Sequence, residues 1–112
     1  MLTNAACTIF EKSEDRYVPV AVKHCFWSEE TKLDETKDGL NSVKSLIVRI
    51  PLSEYNGNAV KTGNLIAKGN ISAAVRSKAE LERICPSAYT IVGFKKNDIG
   101  SAAVRHWRIN GR

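Results

Sequence analysis

The chain has 112 residues, which is enough for one domain with a modest hydrophobic core and too few for two such domains. Its net charge is +5, and the charge is uneven: the part up to Asn56 is slightly acidic, whereas the part from Gly57 onward is strongly basic. No apolar run approaches the roughly 18 residues of a membrane span, and the beginning lacks a secretory pattern. The length and the lack of an apolar span predict a soluble single domain over 1–112. The uneven charge fits a subunit that meets a negatively charged partner or copies of itself head to tail, and it also fits ordinary sampling in a short chain.

The first predicted elements are the two strands of a hairpin. Residues 6–11 alternate in polarity, and residues 17–27 are rich in β-branched and aromatic side chains, with a polar turn between the two segments. Pro19 marks an edge, a bulge or the start of the second strand. The odd number and wide spacing of the cysteines predict reduced thiols, mostly in the core, at Cys7, Cys25 and Cys85.

Residues 28–43 interrupt this pattern. Between 28 and 39 the only apolar residue is Leu33, and charges of both signs alternate around it. We expect a long charged loop here, with two open interpretations: a solvated hairpin extension, or a segment that orders against a neighbouring subunit. The second interpretation makes the charged side chains assembly contacts, namely Glu29, Glu30, Lys32, Asp34 and Lys37.

Strands resume after this segment, and one helix interrupts them. Strands are predicted over 45–50, 64–68 and 89–94. Ser77 and Glu80 match a capping box, so that a helix near 78–85 would place Leu81 and Ile84 on the core and would end before Pro86. About six strands with one short helix predict a mainly β (α+β) fold, a small β-barrel or sandwich.

The last predicted strand, over 104–109, has one polar and one mostly apolar face. Alternation places His106, Arg108 and Asn110 on the polar face. The opposite face carries Arg105, Trp107 and Ile109, and the indole is the expected anchor in the core.

No constellation of residues predicts catalysis. The motifs GxSxG, HExxH and the phosphate-binding Gly-Lys-Ser/Thr loop do not occur in the sequence. His24 and His106 are the only histidines, and structural roles are favoured for them over a metal site. The sequence therefore predicts a protein that is not an enzyme and has no catalytic residue, cofactor or metal.

Basic residues cluster in the last two predicted strands. Small barrels bind single-stranded nucleic acid by stacking bases on aromatic rings above a basic groove, and Phe94 and Trp107 lie among these residues. A core of this size also has a use for both rings, so the alternative of a structural role stays open. The candidate contacts to a partner or to DNA are Lys95, Lys96, Arg105, Arg108 and Arg112.

Four segments, spread over nearly the whole chain, carry a family resemblance. They are LTNA leading into TIF (2–10), GLNS through VRIP (39–51), GNLIAKG (63–69), and GS with HWRING (100–111). In this order they resemble small head and neck proteins of phages and prophages from Gram-positive hosts, and the chain is similar in size and pattern to head-closure (stopper) subunits. The family pattern often has an acid where Asn64 stands.

The resemblance implies a small β-barrel that assembles as a ring between the portal connector and the tail. The implied partners are copies of itself, adjacent connector and tail proteins, and passing double-stranded DNA that is contacted without sequence specificity. A membrane is not among them. The implied location is the neck of the virion, with the host cytoplasm before assembly.

We therefore expect a minor structural protein of a phage virion, a ring subunit of the head-closure or connector type at the head-to-tail junction. It would join neighbouring rings and line the DNA channel. A small basic nucleic-acid-binding β-barrel is the first alternative, and a tail-tube or tail-terminator subunit is the second.

Overall fold

Six antiparallel strands form a closed barrel, which confirms the predicted small β-barrel with a single short helix. The computed structural model describes residues 2–36, 39–55, 57–101 and 104–112. Around the barrel the strand order is β1-β2-β3-β6-β5-β4. The elements within the described residues are β1 (Ala5–Ser13), β2 (Arg16–Thr36), β3 (Gly39–Pro51), β4 (Leu65–Lys68), α1 (Lys78–Ile84), β5 (Ala88–Asn97) and β6 (His106–Gly111).

The barrel interior is filled by the inward-facing residues of the alternating strands. Ile9 of β1, Val48 of β3 and Ile109 of β6 are completely buried within one apolar cluster. Burying such a side chain removes its apolar surface from water and stabilises the folded state by roughly 1.5 to 3 kcal/mol. This interior is the main source of stability in so small a domain.

A second, smaller core lies between the outer face of the barrel and α1. Phe10 of β1, next to the inward-facing Ile9, is fully buried in this cluster together with Leu81 of the helix. The cluster explains why β1 is buried on both faces. Ile84, which was predicted to face the core, is instead 50% exposed, because the helix ends there and Leu81 is its only buried residue.

The predicted helix cap is confirmed. The Ser77 hydroxyl accepts a hydrogen bond from the Glu80 amide at 3.2 Å. The Glu80 carboxylate in turn accepts one from the amide of Arg76, also at 3.2 Å. Together these bonds satisfy amides that have no partner within the helix.

β2 and β3 continue beyond the barrel as a two-stranded arm, which we define as residues 29–36 and 39–45. β1 pairs with β2 only as far as Cys25, and β6 pairs with β3 only from Leu46 onward. In the described chain the arm strands therefore pair only with each other, from Glu29↔Leu46 to Thr36↔Gly39. At about 3.3 Å per residue the arm is roughly 25 Å long.

The overall dimensions agree with a projecting arm. The molecule measures 48 × 32 × 21 Å, and its radius of gyration is 14.6 Å, whereas a compact chain of this length has about 13 Å.

The pairing of β2 with β3 shows that the long charged loop predicted over 28–43 is wrong, and it confirms the hairpin extension. Backbone pairing between the two strands holds this segment as an antiparallel ribbon.

Candidate functional site

A row of three cations crosses the outer face of the barrel. Arg49 of β3 lies opposite Arg108 of β6, which lies opposite Lys95 of β5. Directly opposed side chains in a sheet have Cβ atoms only about 5 Å apart, and like charges in such positions are destabilising. None of the three forms an ion pair among the described residues. This basic row (Arg49, Arg108 and Lys95) is therefore a surface that an anion would stabilise.

The basic row borders a cleft of about 590 Å³. Arg49 places its guanidinium carbon 5.6 Å from the centre of the Phe26 ring, a cation–π contact that orients the charge at the cleft wall. The lining is part apolar and part basic or polar, and consists of Leu2, Phe26, Arg49, Asn97, Val104, His106 and Arg108.

His106 lines this cleft and has a hydrogen-bonding neighbour at each ring nitrogen. Its Nδ1 lies 2.8 Å from the carbonyl oxygen of Val104, so Nδ1 carries the proton and donates it. Nε2 is then the acceptor, and the amide nitrogen of Asn97 lies 3.1 Å from it. Both ring nitrogens of His106 therefore lie within hydrogen-bond distance of neighbouring groups in the wall of the cleft.

The structure separates the five basic residues predicted to act together. Lys95 and Arg108 are neighbours in the basic row. Arg105 precedes β6 and donates a hydrogen bond to the carbonyl of Gly100 at 3.0 Å. Arg112, after β6, lines a different cleft of about 630 Å³ next to α1. Seven residues of extended chain span more than 20 Å, so the two ends of this segment cannot form one patch.

Lys96 lies with Trp107 on the opposite face of the sheet from the basic row. Its ammonium group is 5.6 Å from the centre of the indole. Trp107 packs half-buried against the main core, in agreement with its predicted role as an anchor. Phe94 touches the indole at a centroid distance of 6.1 Å but is itself 45% exposed.

Gly57 covers the indole of Trp107. A Cβ atom at this glycine would lie 2.3 Å from two ring carbons, and its φ of +86° is a left-handed conformation that suits glycine. The indole N–H is buried and has no hydrogen-bond partner among the described residues. The half-buried Trp107 ring is therefore covered by Gly57, with its N–H buried, and is not an open stacking platform.

Glu29, predicted as a contact to a neighbouring subunit, anchors the base of the arm to its own barrel. Its carboxylate accepts a hydrogen bond from the indole N–H of Trp27 at 2.7 Å. Partial burial raises the pKa of this carboxyl, but the hydrogen bonds from Trp27 and Ser87 outweigh that effect and hold the pKa below its usual value. Burial together with the nearby Glu29 charge raises the pKa of Tyr89.

The other predicted assembly contacts lie farther along the arm. Glu30 is exposed at the start of the arm. For Lys32 and Asp34 the structure describes the backbone, which pairs with Val43 and Asn41. Lys37 lies outside the described residues. Leu33, between these positions, is 70% exposed.

Asn64 is buried and bridges two chain segments. Its amide nitrogen donates to the carbonyl of Ala59 at 2.8 Å, and its amide oxygen accepts from the backbone N–H of Lys12 at 3.2 Å. A carboxylate could accept from Lys12 but could not donate to Ala59. Asn64 therefore forms a pair of hydrogen bonds that an aspartate at this position could not form.

Cys7 and Cys25 are buried next to each other in the barrel. A hydrogen bond between the thiols and their burial raise the pKa of Cys7, which keeps it protonated and unreactive. Among the described residues no group of three metal-ligating side chains comes together. Nor is any described helix long and apolar enough to cross a membrane.

Comparison with known proteins identifies a family without an assigned activity. Residues 2–112 match the family described as "Family of unknown function (DUF6751)", so the chain belongs to that family. No curated protein and no solved structure matches the chain.

Proposed function

We propose that this member of the family is a ring-forming structural subunit of a phage virion, of the head-closure or connector type, at the head-to-tail junction. The observation that carries the proposal is the arm: a closed barrel extended by a two-stranded arm whose outer edges have no partner strand in the described chain. The resemblance of four sequence segments to phage head and neck proteins is the reason for proposing a place at the head-to-tail junction.

The arm needs a partner that the barrel does not need. Within the barrel each strand has a neighbouring strand on both sides, whereas the arm parts of β2 and β3 have no neighbouring strand on their outer sides in the described chain. An isolated two-stranded hairpin is only marginally stable in water. Contact with a neighbouring subunit would satisfy the edges of the arm and order it, which is the behaviour of an assembly element.

Charge is divided between the arm and the barrel in a way that suits assembly around DNA. Five of the twelve acids and three of the seventeen basic residues fall within 29–45, so this segment carries −2 and the rest of the chain +7. Repetition of the basic barrel around a ring would create a positive collar. Its dispersed cations, among them Lys96, Arg105 and Arg112, suit contact with duplex phosphates without sequence reading.

The proposal is tested in particles from a strain that carries the gene. A chain with an epitope tag should copurify with intact virions, and antibody-labelled electron micrographs should show it at the neck. Disruption of the gene should yield filled or leaking heads that lack tails. Label along the tail tube would favour the tail alternative, and absence from purified particles would reject a virion role.

A small nucleic-acid-binding barrel is the second candidate, and the basic row beside Phe26 favours it. A groove of cations with one accessible ring is the arrangement that binds single strands by phosphate contact and stacking. This alternative predicts salt-dependent binding of an oligothymidylate by the isolated chain, with affinity lost in Arg49→Ala and Arg108→Ala.

A further inference from the structure

We infer that the cleft beside the basic row is the docking site for the arm of a second copy of this chain, with Leu33 in the apolar part of the cleft and the arm acids facing Arg49, Arg108 and Lys95. The inference rests on the proposed function, because it requires that copies assemble. It names the two surfaces that meet.

The chemistry of the two surfaces is complementary. Apolar side chains from Leu2, Phe26 and Val104 line one part of the cleft, and cations line another. The arm offers the same combination: Leu33 is 70% exposed, and it is followed directly in the sequence by the acids Asp34 and Glu35. A large apolar side chain that is held in water next to acids gains most from a cleft that is both apolar and basic.

The basic row has a physical need for such a partner. Three cations in register across β3, β6 and β5 repel one another, and they form no ion pair within the described residues. Carboxylates from a neighbouring chain would offset that repulsion. Single-stranded nucleic acid could also do so, but it would leave the edges of the arm and the exposed Leu33 unaccounted for.

The positions of the two surfaces favour a head-to-tail contact. The ladder between β3 and β6 runs from Leu46↔Gly111, beside the arm, to Pro51↔His106. The cleft lies at the His106 end, whereas the arm leaves the barrel at the Leu46 end. Different surfaces therefore meet at each contact, which makes the interface heterologous, and heterologous interfaces close into rings when the rotation permits.

The cleft also has a suitable size. Its volume of about 590 Å³ is within the range of sites that enclose a ligand of several hundred daltons. The part that fits such a site is a few residues of the arm rather than the whole ribbon. The contact would therefore be made by the segment around Leu33, and the remaining arm would lie along the neighbouring barrel.

Carbodiimide cross-linking of the full chain tests this directly, because Lys95 is the only amine in the basic row. Unlabelled and ¹⁵N-labelled chains are mixed at high concentration, and peptide mass spectrometry identifies the links that join two different chains. We expect Lys95 to be linked between chains to acids of the arm. Lys61 and Glu11, which are 3.5 Å apart, provide a control that must link within one chain.

Two variants determine which chain contributes the arm and which contributes the cleft at each contact. Arg108→Glu removes a cation from the cleft and leaves the arm unchanged, whereas Leu33→Ser removes the apolar side chain of the arm and leaves the cleft unchanged. Both residues are exposed, so both variants should fold. Each variant alone should lose its links by about fivefold or more, the effect of one or two kcal/mol. In an isotopically distinguished mixture, links should run only from the arm of Arg108→Glu to Lys95 of Leu33→Ser. Arg83→Glu, on the exposed side of α1, should behave like the wild type.

Three results would overturn the inference. Links from the arm that reach another part of the barrel would place the docking site elsewhere, and an absence of links between chains would remove it. Protection of Lys95 by an oligothymidylate, with the cross-links of the arm unchanged in Arg108→Glu, would make the cleft a nucleic-acid site. If the chain is still found in virions after any of these results, the proposed function stands without this inference; if virions lack it, the proposed function itself fails.

Discussion

The contact between Gly57 and Trp107 provides a quantitative test of how the barrel end is packed. Gly57 has a φ of +86°, and a Cβ atom there would lie 2.3 Å from ring carbons of the indole. Gly57→Ala therefore combines two costs. A left-handed conformation of a non-glycine residue costs about 1 to 2 kcal/mol, and forcing a methyl group into packed atoms typically costs about 1 to 3 kcal/mol.

Two other glycines separate these costs. Gly63 also has a positive φ, +96°, but a Cβ atom there would meet nothing within 4 Å, so Gly63→Ala carries the conformational cost alone. Gly93 has no positive φ, and its nearest neighbour would be the Asn110 amide at 3.9 Å. Gly93→Ala should remain within about 1 kcal/mol of the wild type, because alanine mainly restricts the unfolded chain.

The measurement is urea denaturation followed by tryptophan fluorescence. We expect the order Gly57→Ala, then Gly63→Ala, then Gly93→Ala, from least to most stable, with the first two separated by about 1 to 3 kcal/mol. In a Trp107→Leu background the separation should shrink, since the blocking ring is gone. Equal losses for Gly57→Ala and Gly63→Ala would refute the packing of Gly57 on the indole.

Further expectations concern the helix cap, the base of the arm and the thiols. Ser77→Ala should lower the free energy of unfolding by roughly 0.5 to 2 kcal/mol, and an unchanged urea midpoint would contradict the cap. The depressed pKa of Glu29 stabilises the fold above the carboxyl's unfolded pKa, and this contribution is lost as the pH falls through the folded pKa. Glu29→Gln should therefore be less stable than the wild type at neutral pH, with the difference shrinking as the pH falls below the carboxyl's unfolded pKa and vanishing below its folded pKa; a difference that is constant with pH would rule this out. Iodoacetamide should modify the half-buried Cys85 in the native protein and reach Cys7 and Cys25 only on unfolding, so equal rates at all three would be inconsistent with buried thiols.

Features that depend on local periodicity could be predicted from the sequence. The two faces of the last strand follow from a period of two, and the structure places Arg108 and Asn110 outside and Ile109 inside. The helix and its cap follow from the spacing of Ser77 and Glu80. In both cases the information lies within a few residues of chain.

The basic row could not be predicted in the same way. Arg49 belongs to it because β3 pairs with β6 in a register that brings together residues far apart in the sequence. No local pattern encodes that pairing. Alternation along β3 puts Arg49 on the opposite face from Val48 and Ile50, and this is the only signal for Arg49 that the sequence carries. The sequence analysis also predicted too large a basic cluster. Arg105 and Arg112 are close in the sequence, but they lie at opposite ends of an extended strand and are therefore far apart in space.

The sequence left the arm as one of two open interpretations of 28–43 for a related reason. A strand is recognised by alternation of apolar and polar residues, and residues 28–39 contain one apolar residue, Leu33, so no period of two can be recognised there. What this stretch of 28–39 does contain is charges of both signs around Leu33. The same features that hide the strands from prediction make the arm a candidate for contact with another chain.

The most direct test of the central claim compares the full chain with one that has a shortened arm. Thr31 and Lys44 are opposite each other in the ladder, so an Asn-Gly turn in place of residues 32–43 should close the hairpin there and leave the barrel unchanged. Native mass spectrometry should find closed rings of the full chain and only monomers of the shortened chain, with equal urea midpoints for the two barrels. Rings of the shortened chain, or a full chain that stays monomeric at every concentration and is absent from purified particles, would contradict assembly through the arm.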